Sequence, residues 1–140
     1  MTREEMIAYF ARRQESWRRR DAAALAADHA DNTVVESPIG GTLTGRAAVE
    51  NIYKSLFLAF PDIEFQMDEL VIDGNHVVLV WTSYGTHVGD FLGLSHSGKR
   101  FKTSGVFIYR LEAGKIAHER RIYDFSGLLI QLGILKAKPF

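Results

Sequence analysis

Two hydrophobic periods divide the chain near residue 60. Before it, apolar side chains return at helical steps; beyond it, they alternate. Thr2 and Glu5 have the spacing of a capping box, and Met6, Phe10 and Trp17 then recur among Glu, Arg and Gln, which predicts a helix over 3–20. Asp21 can cap an Ala-rich helix at 22–28, "NTVVESP" reads as a short strand stopped by Pro38, and "IGGTLTG" supplies a turn. Val49, Ile52, Tyr53, Leu56, Phe57 and Phe60 form one stripe, so a third helix spans 46–60 and closes at "FPD". From Ile63 the period becomes two. "DGN" at 73–75 marks a hairpin, "HVVLVWTSYGTH" a strand rich in β-branched and aromatic residues, and "SHSGKR" and "EAGK" two further reversals. Strands at 100–111 and 115–125 and a helix at 126–133 complete the chain. The order predicts an α+β fold, with helices on one face of a strongly curved antiparallel sheet, in a single domain over 1–140.

Composition narrows the function. A chain of 140 residues can bury a genuine core, and the absence of cysteine excludes disulfides, thiolate nucleophiles and zinc-finger sites, which fits a reducing cytoplasm. The charged start "MTREEMIAYFARRQ" is not a signal sequence, and no apolar run is long enough for a bilayer, so no membrane association is expected. Lys plus Arg equals Asp plus Glu, 17 against 17, so nucleic acid is not an expected partner. "RRRD" at 18–21 reads as a solvated helix end. Histidines 29, 76, 87, 96 and 118 lack HxH or HxxxH spacing, and the nearest pairing, His87 with Asp90, is weak, so no metal is expected. Gly98-Lys99 follows no glycine-rich loop, which leaves a nucleotide site unsupported.

The densest chemistry lies in "HERRIYDFSGLLIQLG", residues 118–133. His118, Arg120, Ile122 and Asp124 share a parity and would project from one strand face, where Arg120 could pair with Asp124 or a substrate anion. The alternative is a solvated face, with Glu119, Arg121, Tyr123 and Phe125 pointing elsewhere. Asp124 before "SGLL" also suits a helix cap. Glu36 shares a face with Val34 and is either a second cavity carboxylate or an exposed strand-end residue. His87, at the end of its strand, is a proton shuttle or a structural histidine. Trp17, Tyr53, Phe57, Phe60, Trp81, Phe91 and Phe107 can line a pocket for a flat ligand or form plain core.

The succession "WRRRDAAALAADHADNTVVESP", "GRAAVENIYKSLFLAFPDIEF", "GTHVGDFLGLSHSGKRF", "YRLEAGKIAHE" and "IYDFSGLLIQLG" resembles the SnoaL-like polyketide cyclases, or ester cyclases, of the nuclear transport factor 2-like superfamily. The resemblance covers nearly the whole chain. It implies a cone-shaped fold around an apolar cavity, a homo-oligomer (most simply a homodimer), and an intramolecular aldol condensation that needs no metal or organic cofactor. It further implies an acid/base Asp on the last long strand, which falls on Asp124, while the His of "GTHxG" falls on His87. Where the family is expected to read Glu and Trp in "KIxExW", this chain has His118 and Arg120, and Ser95 and His96 replace the Pro of "PTGK". The expected protein is thus a cofactor-independent cyclase acting on a small hydrophobic or polyketide-like molecule. In it Asp124 is the acid/base, His87 or His118 assists, and Arg120 orients the carboxylate or an oxyanion. A proton-transfer isomerase or hydrolase in the same cavity, and a non-catalytic ligand-binding domain, are the alternatives.

Overall fold

The structure, a computed structural model, describes residues 1–91, 93–136 and 138. Helix α1 (Arg3–Arg18) starts with the expected reciprocal cap: Glu5 N donates to Thr2 Oγ1, and the Glu5 side chain returns to the Thr2 backbone. Its buried stripe is Met6, Phe10, Arg13 and Trp17, so an arginine occupies one turn of an otherwise apolar seam. Asp21 caps α2 (Ala22–Ala27) through Ala24 N, and α3 (Arg46–Ala59) buries Val49, Tyr53 and Ala59. Strands β1 (His29–Ser37), β3 (Glu64–Asp73), β4 (His76–Thr86), β5 (Arg100–Glu112) and β6 (Lys115–Tyr123) fall where the pattern put them, followed by α4 (Phe125–Gln131). The stretch expected as a plain turn holds a short strand as well, β2 (Gly41–Thr44), paired antiparallel with β1.

The six strands form one sheet in the order β2-β1-β6-β5-β4-β3. The expected α+β architecture is present, with one correction. β1 runs parallel to β6, because α3, between the β1–β2 hairpin and the β3–β6 meander, carries the chain across to the far edge of the sheet. The other pairings are antiparallel. The open edge at β3 is covered by α1, where the Gln14 amide imitates a strand: it donates to Phe65 O at 2.6 Å and accepts from Met67 N at 3.2 Å.

One irregularity decides which side chains face the helices. Leu111 pairs with Ile116, but Arg110 pairs with His118, so Ala117 is an extra residue in β6. Even parity points inward at Ile116; beyond the bulge, odd parity does. Glu119 is fully buried and Arg121 and Tyr123 face the core, whereas Arg120 and Ile122 are exposed.

Candidate active site

Between the concave sheet face and the helices lies a cavity of about 90 Å³. Its wall is mainly apolar: Trp17 from α1, Ile52 and Leu56 from α3, Phe65, Trp81, Phe101 and Phe107 from the sheet, and Leu128 from α4. Phe60, Ile63, Ile39 and Phe91 from the connecting segments complete that surface. The polar lining is short, consisting of Ser37, Ser83, Thr103, Tyr123 and Arg121. The indole Nε1 of Trp81 is sealed from solvent and has no hydrogen-bond partner among the described residues. An unpaired buried donor costs about 1–3 kcal/mol.

The backbone makes room for this wall at Gly105. A Cβ there would lie 2.4 Å from Ile122 O, 2.7 Å from Tyr123 Cβ and 2.8 Å from the Trp81 ring. Glycine thus allows Trp81 and Tyr123 to close over the middle strand, with their ring centroids 5.8 Å apart.

Arg121 is the charged member of the lining, and it is held from behind. Its Nε donates to Glu119 Oε2 at 2.8 Å and its Nη2 to Tyr53 Oη at 3.2 Å, while its guanidinium lies over the Tyr53 and Phe107 rings at 5.3 and 5.5 Å. Nη1 makes no hydrogen bond to a described residue. Tyr53 Oη also accepts from Arg13 Nη2 at 3.2 Å, and Arg13 Nη1 reaches Asp28 Oδ2 at 2.9 Å. Burial pushes the Glu119 carboxyl up, but Arg121, by charge and hydrogen bond, and Arg13 outweigh it and hold the group below the usual carboxylate range. On its other side Glu119 Oε1 faces His29 Nε2 at 3.6 Å. On the ring's other side Nδ1 lies 3.1 Å from Thr33 Oγ1, whose hydroxyl is 3.0 Å from Ile116 O. Burial, opposed by Glu119 and reinforced by Arg13 and Arg121, pushes His29 down to about 3. The imidazole is neutral, and within the buried part of the network the charges of Arg13 and Arg121 balance those of Asp28 and Glu119.

Several residues singled out in the sequence lie elsewhere. Asp124 is exposed at the N-cap of α4, its Oδ1 accepting from Gly127 N at 2.8 Å, and it is not among the residues lining the cavity. A carboxylate sunk in an apolar hollow is therefore corrected to a helix cap, flanked by the lining residues Tyr123 and Leu128. His118 and Arg120 are on the outer sheet face because the Ala117 bulge reverses the parity. There His118 Nε2 meets exposed Glu36 at 2.8 Å, so Glu36 is not a cavity carboxylate either. His87 is fully buried behind Phe60, with ring centroids 5.4 Å apart, and its Nδ1 accepts from Ser97 N at 3.2 Å. Of the aromatic set, Trp17, Trp81, Phe91, Phe107 and Phe60 line the cavity. Tyr53 lies behind Arg121 and Phe57 is a half-buried core residue. Among the described residues no group of three or more His, Asp or Glu clusters as metal ligands, and no helix is long and apolar enough to cross a membrane.

Arg121, Glu119 and Arg13 were not singled out from the sequence. Arg13 had a signal, since it occupies the helical step between Phe10 and Trp17.

Known proteins share this fold. The family model of the SnoaL-like polyketide cyclases matches residues 9–132. The nogalonic acid methyl ester cyclase of Streptomyces nogalater is 36% identical over 72 residues, 50% of this chain and 54% of that protein. The aklanonic acid methyl ester cyclase DnrD of Streptomyces peucetius is 38% identical over 50 residues, 36% of this chain and 34% of that one. The matched region thus spans about half or less of these relatives. Among solved structures, TsrD of Streptomyces laurentii superposes with a TM-score of 0.85 at 24% identity, covering 96% of this chain and 99% of that chain. AclR of Streptomyces galilaeus, described as a proposed hydroxylase, gives 0.84 at 23%, covering 99% and 91%. At such identities these structures share the fold. With 124 of its 140 residues inside the family model, the chain belongs to the SnoaL-like polyketide cyclase family.

Proposed function

We propose that this chain is a cyclase that closes a ring by intramolecular aldol chemistry on a mainly apolar carbonyl compound. The observation that carries the reading is Arg121, a buried guanidinium with one edge toward an apolar cavity and the others fixed by Glu119 and Tyr53. A fixed cation in a dry pocket is worth most where negative charge develops on oxygen during reaction, and losing such a donor typically costs about 100- to 1,000-fold in rate.

In this mechanism the acceptor carbonyl of the substrate sits inside, against Arg121 and Trp81. The cavity, about 90 Å³, is smaller than the roughly 300–1,000 Å³ of pockets that enclose whole drug-sized ligands, so the remainder of the substrate extends to the rim. Asp124, between Tyr123 and Leu128, acts there as the base. It removes a proton from the carbon between two carbonyls; the resulting enolate carbon attacks the inner carbonyl carbon; the alkoxide recovers the proton. The product is an isomer of the substrate. No external oxidant, reductant or water enters the balance.

A second reading has its own observation: no carboxylate or imidazole is among the residues lining the cavity, as suits a domain that binds without reacting. Nogalonic and aklanonic acid methyl esters, the compounds named for the relatives, are the first substrates to test. The cyclase reading expects ring closure by the wild type and a loss of at least about 100-fold in Asp124→Asn, with binding retained. Equal turnover in that variant removes Asp124 from the chemistry. Binding without turnover, and without deuterium exchange at the acidic carbon, favours the binding domain. Oxygen from labelled water appearing in the product indicates hydrolysis.

A further inference from the structure

We infer that Glu119, although it never reaches the cavity, sets the charge of the ligand: the pocket takes an uncharged carbonyl group on a compact ring and turns away the corresponding carboxylate. The inference rests on the ligand entering against Arg121, as in the proposed reaction. Arg121 taken alone predicts an anion site. Its surroundings reverse that expectation, because Glu119, fully buried, already holds Arg121 through Nε at 2.8 Å. Behind that pair the buried Arg13 is matched in the same way by Asp28 at 2.9 Å. The remaining cation, Arg12, binds Asp28 from the solvent side with its side chain half exposed, and solvent screens it. His29, against the far oxygen of Glu119, is neutral.

A ligand carboxylate would therefore bring an unmatched negative charge into a wall made of Phe, Trp, Ile and Leu side chains. A ketone or ester carbonyl brings lone pairs and no charge, which suits what is on offer: Nη1 of Arg121. Ser83 donates its hydroxyl to Glu64 O at 2.9 Å, so that proton is already committed. The pairing also has a catalytic sense. A guanidinium neutralised at rest leaves the carbonyl unbiased on binding and gains its interaction as negative charge appears on oxygen.

Methyl benzoate and benzoate are matched probes of nearly one size and opposite charge character. Binding is read from tryptophan fluorescence and from the shift in melting temperature, on the full chain at neutral pH. The wild type is expected to bind methyl benzoate at least tenfold more tightly than benzoate. In Glu119→Gln the amide can still hold Arg121 while the balancing charge is gone, so the preference should reverse in favour of benzoate. Arg121→Gln, which leaves Glu119 unmatched, should weaken the ester and exclude benzoate altogether, and it serves if Glu119→Gln does not fold. Equal or tighter binding of benzoate by the wild type overturns the inference. So does failure of the wild type to bind methyl benzoate, or an unchanged preference in Glu119→Gln. Ring closure by the wild type without this preference sinks the charge rule and leaves the cyclase standing; the preference without ring closure does the opposite.

Discussion

Acidification should destabilise this protein well above the range where carboxylates titrate, and the group responsible is His29. In the folded chain the ring is sealed between Thr33 and Glu119 and is pushed down to about 3, from an ordinary value near 6.5. The unfolded chain therefore binds a proton on His29 as pH falls through about 6.5, and the folded chain does not until near 3. Between those values protons favour the unfolded state, so stability is full above pH 6.5 and drains away below it. From pH 7 to pH 5 the unfolded imidazole goes from about one-quarter to almost completely protonated, which corresponds to about 2 kcal/mol. Continued toward pH 3, the loss from this one residue approaches about 5 kcal/mol, a large part of the stability of an ordinary domain. Glu119, held low by Arg121, loses stability in the same direction, but only as pH falls through its own depressed value. Urea unfolding followed by tryptophan fluorescence at pH 7 and pH 5 measures the difference, and His29→Gln should flatten it. The imidazole proton resonance of His29 should in addition stay flat from pH 7 to pH 5 in the folded protein. A normal titration of that resonance near 6.5, or an identical pH slope in His29→Gln, would refute the reasoning.

Other perturbations test the site and its supports. Gly105→Ala should destabilise by about 1–3 kcal/mol and change the tryptophan emission, because its methyl meets Ile122 O at 2.4 Å and the Trp81 ring at 2.8 Å; equal stability by urea titration argues against that close approach. Asp124→Ala should cost about 0.5–2 kcal/mol through the lost α4 cap, whereas Asp124→Asn, also a good cap, should fold almost as well. Stability curves for the two then separate capping from any effect on turnover. Arg13→Met leaves Asp28 without its buried partner and should cost about 3–5 kcal/mol by the same unfolding assay, and a near-neutral result would show the network to be dispensable.

The sequence made the elements legible where one period persisted. The α1 stripe, the α3 stripe and the β3–β6 alternation each carry many residues in phase, and their boundaries agree with the structure to within a few positions. What stayed hidden was set by single residues. Phase counting across "KIAHERRIYD" assumes an unbroken strand, yet Ala117 interrupts it, so the face expected to hold His118, Arg120 and Asp124 is the outer one. The inner face carries Glu119, Arg121 and Tyr123. The parallel β1–β6 pairing was equally invisible, because no local pattern states which distant strand is a neighbour. Arg13 could have been found: a charge at an apolar helical step requires a buried counter-charge, and Asp28 provides it. Asp124 carried a cap signal and a family signal together, and its observed contact with Gly127 is the cap.

The extra alanine in β6 has a consequence for how this family member can change. Drawing Ala117 into a regular ladder would force one end of the strand to roll over: either Ile116 is evicted toward water, or Glu119, Arg121 and Tyr123 swing out and His118, Arg120 and Ile122 take their places, whereas excising Ala117 leaves both faces as they are. The same ten letters thus encode two linings, one in use and one held in reserve on the far side. A one-residue slip of pairing, rather than a succession of point substitutions, separates a guanidinium backed by a carboxylate from an imidazole beside an unmatched arginine.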